Sequence, residues 1–128
     1  MTNKNKYIKL ITQLNRKTKE GKLKWKRIDP PDGLTKGSND EYIDFYRTEI
    51  GDILIGIGEY RFKDYIKEFD KFYWSERVVL VLLRDNNELE YKIPVTEGLW
   101  DLIDTIRQSY ANVEYKVDRL FNQLELGE

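Results

Sequence analysis

Apolar side chains recur along this chain at two spacings, and the switches between them divide it into helices and strands. Tyr7, Leu10, Ile11 and Leu14 fall at i, i+3, i+4 and i+7, which predicts a helix with one buried stripe, with Thr2 and Asn3 placed to cap it. Gly21 is the residue expected to stop that helix, since a left-handed backbone costs glycine nothing. After it the period drops to two: Leu23 and Trp25 alternate with Lys22, Lys24 and Lys26, the pattern of a half-buried strand. The stretch from Asp29 to Asp40 is dense in turn formers and longer than most connections, so it reads as a mobile binding loop or as disorder.

Tyr42 to Ile50 and Ile53 to Phe62 are rich in aromatic and β-branched residues and flank Gly51-Asp52, a short hairpin signal. Gly56 and Gly58 share one face of the second strand, where glycine marks a bulge or a close backbone approach. Arg77 to Arg84 and Leu89 to Ile93 flank Asp85-Asn86-Asn87-Glu88, a second hairpin turn built from residues that tolerate positive φ. Between the hairpins, Lys63 to Tyr73 fits a short helix and an aromatic loop equally well.

The C-terminal pattern is the most regular. Ile103, Ile106, Tyr110, Val113, Val117, Leu120 and Leu124 alternate steps of three and four, the spacing of a heptad seam, after Thr96 as a candidate cap. A continuous helix from Glu97 to about Glu125 is roughly 43 Å long, more than a small sheet needs as cover. Helix 1 has too few apolar positions to bury all of it. Val117, Leu120, Phe121 and Leu124 are therefore expected at an interface, the simplest being a homodimer. The alternative is a break near Ala111-Asn112 that folds the second half back. The fold class implied is α+β, an antiparallel meander of about five strands between an N-terminal helix and a long C-terminal one, in a single domain over residues 1–128.

Composition narrows the chemistry. The chain has no Cys and no His, which excludes disulfides, thiolate nucleophiles and thiolate or imidazole metal sites. The longest apolar run, Val78 to Leu83, is far short of a membrane span, and residues 1–6 lead into an amphipathic segment rather than a signal-type apolar core. The expected location is cytoplasmic, with no membrane partner and no cofactor. Charge is uneven: ten basic side chains against Glu20 give residues 1–28 a charge of +9, and the chain's net −1 leaves −10 for the remainder.

That asymmetry makes residues 16–27 a candidate ligand site. Arg16, Lys17, Lys24 and Arg27 would hold phosphates while Trp25 stacks on a base, giving nucleic-acid or nucleotide binding as one reading. Neutralisation by Asp101, Asp104 and Asp118 of the last helix is its structural counterpart. Glu90-Tyr91-Lys92 has the Glu-x-Lys form of Mg²⁺-dependent nucleases, and a solvated surface pair is the plainer reading of the same residues. Gly56-Ile57-Gly58 lacks the third glycine, helix and Lys-Ser/Thr of a phosphate loop and reads as strand. Phe72-Tyr73-Trp74, with Tyr65 and Phe69, reads as core filling or as an aromatic pocket or interface.

Leu10-Ile11-Thr12-Gln13-Leu14 followed by Thr18-Lys19-Glu20-Gly21-Lys22-Leu23-Lys24-Trp25 resembles the opening of many small uncharacterised bacterial proteins of Gram-positive and mobile-element type. Trp74 to Leu80, and Leu99-Trp100-Asp101-Leu102 with Arg107, are similar to their middle and end. The resemblance covers most of the chain and implies origin and architecture, with no activity to carry over. The leading expectation is a non-enzymatic interaction protein, in a mobile-element or defence setting, that binds itself or another protein.

Overall fold

The computed structural model describes residues 3–95 and 97–126. Its elements are α1 (Asn3–Lys19), β1 (Lys26–Arg27), α2 (Asp32–Thr35), β2 (Glu41–Ile50), β3 (Ile53–Ile66), β4 (Lys71–Leu83), β5 (Leu89–Lys92) and α3 (Leu99–Leu126). The five strands form one antiparallel sheet in chain order, so the α+β meander expected from the sequence is the fold. The capping candidates Thr2 and Thr96 lie outside the described residues, as does the Val113 side chain.

Each face of the sheet is covered differently. Tyr46, Ile55, Ile57, Val78 and Leu80 point to one side and meet Ile11 and Leu14 of α1 and Leu99, Leu102, Ile103 and Ile106 of α3. This is the pairing that the helical spacings anticipate. The stop at Gly21 is also where it was expected: φ is +75°, and its N–H donates to the Thr18 carbonyl at 3.1 Å. On the other side Phe45, Leu54, Val81 and Leu83 pack against Leu34, with Ile28 and Leu89 at the margin.

That second layer corrects the reading of residues 29–40. The connection is neither disordered nor free: it folds through α2, buries Pro31 and Leu34, and lies across the sheet as its lid. A sheet with two apolar faces needs two covers, and α1 and α3 both lie on one of them. The strand expected around Leu23 and Trp25 is corrected too. Only Lys26 and Arg27 pair with β2, opposite Arg47 and Tyr46, while Leu23 and Trp25 are irregular backbone packed on the helical core.

The undecided segment from Lys63 to Tyr73 is strand. β3 and β4 pair without interruption from Leu54↔Leu83 to Ile66↔Lys71, with the turn at Lys67–Asp70 made possible by Asp70 at φ +48°. β2 stops at Glu41, opposite Arg61, and β5 pairs no further out than Val81, so the outer part of the hairpin stands alone as a two-stranded ribbon.

The glycine pair in β3 is explained by one ring. Phe45 lies flat over both: a Cβ on Gly56 would stand 2.6 Å from its ring, and one on Gly58 would stand 2.5 Å from the ring and 2.8 Å from the Asp44 carbonyl oxygen. Overpacking of this kind costs roughly 1–3 kcal/mol, so Gly56→Ala and Gly58→Ala should both lower the urea midpoint. Adding Phe45→Leu should restore much of the loss at Gly56, where the neighbours are side chains. It should restore less at Gly58, where backbone oxygen blocks the methyl.

Candidate functional site

The helical seam divides α3 into two halves with opposite fates. Leu99, Leu102, Ile103 and Ile106 are buried, and Tyr110 is partly buried with its ring 5.9 Å from that of Tyr46. The helix then continues unbroken, so the alternative of a break at Ala111-Asn112 is excluded. Beyond that point Val117, Leu120, Phe121 and Leu124 are 40%, 57%, 61% and 63% exposed, and Tyr115 is 63% exposed. These are the four residues expected from the sequence to be short of partners within the chain, and among the described residues all four are exposed.

What holds α3 at the boundary is Arg107. Its guanidinium donates from Nε and Nη2 to both carboxylate oxygens of Asp44, each at 2.7 Å, and from Nη2 to Glu59 Oε1 at 2.6 Å. Tyr46 adds a bond from its hydroxyl to Asp44 Oδ2 at 2.9 Å. Both carboxylate side chains are over nine-tenths buried. Burial pushes the Asp44 carboxyl up, but the bonds from Arg107 and Tyr46 outweigh it and hold Asp44 below the usual carboxylate range. Its bonds to Asp44 foremost, and to Glu59, raise Arg107 further against the opposing effect of burial.

The outer ribbon presents a second surface. Lys63 stands opposite Trp74 and Tyr65 opposite Phe72, which puts all four on one face. Arg61 lies over the Trp74 ring at 4.5 Å and Lys63 at 5.3 Å, while the Tyr65 and Phe72 rings are 5.1 Å apart. Phe72 is 70% exposed, and Tyr65 and Trp74 are each 46% exposed. These rings are surface, not core filling. Where β2 falls away, a cavity of about 550 Å³ opens between residues 39–41 and the ribbon, with Phe62, Lys63, Phe72 and Trp74 in its wall.

Several residues of the basic segment have partners within the fold. Arg16 and Lys22 both reach Glu20, at 3.7 and 2.9 Å, and the Trp25 indole is packed on the core with its N–H donating to Thr18 Oγ1 at 2.9 Å. Arg27 donates to the Ile43 carbonyl at 3.3 Å, while Lys24 is exposed and Lys17 half-buried. Of the proposed counter-charges, Asp101 lines a small surface cavity with Arg16 and Lys19, whereas Asp104 turns to Arg107 at 3.6 Å. Glu90 and Lys92 lie on β5, at the edge of the sheet. Among the described residues no group of three or more acids is placed to hold a metal ion, and no helix is long and apolar enough to cross a membrane.

No protein-family model, curated protein or solved structure matches the chain.

Removing one partner of a buried ion pair strands the other, so Arg107→Ala should destabilise the protein by about 3–5 kcal/mol in urea unfolding. The acid side has a definite sign. A carboxylate held low in the folded state stabilises above its unfolded value, about 4, and that stabilisation is lost as pH falls through the lower native value. Stability should therefore drop below about pH 4, and Asp44→Asn should flatten the drop.

Proposed function

We propose that this chain is a self-associating interaction protein whose coupling element is the outer half of α3. The observation that carries this reading is the run of exposed apolar residues from Val117 to Leu124 on a helix that continues past its own core. A contiguous apolar patch of that kind usually marks an interface.

A second copy fits the patch better than an unrelated surface because the segment is complementary to itself. In an antiparallel pair with the two-fold axis between Leu120 and Phe121, Leu120 faces Phe121, Val117 faces Leu124, and Lys116 faces Glu125. Apolar residues meet apolar residues and a cation meets an anion, twice over. Such charge pairs at the margin fix register and orientation more than they add affinity. The ion pairs around Arg107 keep the root of each helix fixed on its sheet, so little orientational freedom is left to lose when two copies meet.

Sedimentation equilibrium tests the proposal. The expected mass at tens of micromolar is twice that of one 15.4 kDa chain, falling to one chain on Leu120→Asp, because a carboxylate without a partner is costly in an apolar seam. Lys116→Glu should weaken the dimer, and adding Glu125→Lys should restore it. A wild-type chain that sediments as a monomer at these concentrations overturns the reading.

A further inference from the structure

The ribbon face formed by Arg61, Lys63, Tyr65, Phe72 and Trp74 is a candidate site of a different kind, and it is independent of α3. Three features distinguish it from scattered surface aromatics. Its rings are exposed yet fixed: Tyr65 packs against Phe72 and its hydroxyl donates to the Asp70 carboxylate, while Arg61, 4.5 Å from the centre of the Trp74 ring, is held by Glu41, which accepts from Nε at 2.9 Å and from Nη2 at 2.8 Å. Its two cations stand among the rings, with Lys63 5.3 Å from the centre of the same indole and Glu76 opposite Arg61 on the facing strand. Its rings stand on one strand face at i and i+2, since Phe72 and Trp74 are two apart, with backbone positions about 6.7 Å apart.

That spacing excludes a duplex as the ligand and favours a single strand. Bases in a duplex strand rise about 3.4 Å and are sealed against each other, whereas rings at twice that interval can each take one base of an unstacked strand. Aromatic rings set on a sheet among cations are the general means by which proteins hold single strands, the rings stacking on bases and the cations drawing in phosphates. A guanidinium beside an indole can itself stack on a base. We propose that this face of the β3–β4 ribbon binds single-stranded nucleic acid, with Phe72, Trp74 and Arg61 stacking on successive bases and Lys63 contacting the backbone. Trp25 is not among the stacking rings, because it packs on the core and donates to Thr18.

Fluorescence anisotropy with labelled ten-nucleotide oligo(rU) and oligo(dT) tests the proposal in the 128-residue chain. The Leu120→Asp variant is run in parallel so that self-association is scored separately. Binding is expected at low salt, with a log K against log salt slope of about −0.7 per phosphate neutralised, and a blunt duplex of equal length should bind at least tenfold more weakly. Phe72→Ala and Trp74→Ala should each weaken the single-strand complex at least about fivefold, the low end of one base–ring stack, while circular dichroism stays unchanged because both rings are exposed. Lys63→Gln should reduce the salt slope by about 0.7. No binding at about 100 µM, the weak end of non-specific association, overturns the proposal. So does binding that survives both ring substitutions, or that is lost instead in Lys24→Ala/Arg27→Ala. A ribbon that captures an extended polypeptide in place of an oligonucleotide would also overturn it.

Discussion

The Arg107 guanidinium joins the parts of this molecule that would otherwise be unrelated. It is one position beyond Ile106, the last fully buried residue of α3 among those described, and it reaches Glu59, two positions before Arg61 on the strand that becomes the free ribbon. Asp44, its third member, lies beside the irregularity in β2, three residues after that strand begins. Two buried carboxylates could not be tolerated on this face without a cation whose fork satisfies both. Given that cation, the sheet can carry charge at the limit of its apolar core, and both projecting elements start from a fixed root.

The large divisions of the fold were legible because they rest on local rules. The 3.6-residue period gave both helices, Gly21 gave the stop, and Gly51-Asp52 and Asn86-Asn87 gave the hairpin turns. What could not be read depends on tertiary context. Residues 29–40 have the composition of a free loop, and only a second apolar sheet face demanding cover explains why Leu34 is buried. The β3–β4 ribbon escaped recognition because its turn has no glycine and relies on Asp70 in a left-handed conformation. Arg61, Lys63 and Tyr65 already alternate at period two, as do Phe72 and Trp74, so the signal was present without the register that unites it.

The site followed the same division. The exposed seam of α3 was visible as an excess of apolar positions over anything available to bury them, an argument from counting that needs no coordinates. Arg107, Asp44 and Glu59 are 63 and 48 positions apart and share no motif. Conversely, residues 16–27 looked like a site because charge is conspicuous in sequence, whereas the engagement of Trp25 with Thr18 and of Arg16 and Lys22 with Glu20 is not.

β3 and β4 are covered by helices on one side and by the α2 loop on the other over their inner halves, and by neither over their outer halves. A single pair of strands therefore spans two regimes of stability. The inner ladder can open only with the whole domain, while the outer rungs, with few buried contacts and both edges in water, can melt and re-form locally. The fourteen-residue strand is one element in geometry and two in thermodynamics, and the boundary between them falls near Tyr60, where burial stops. Sequence change is correspondingly cheap beyond that boundary and costly before it, so the outer hairpin is the part of this fold most free to acquire a new surface without endangering the rest.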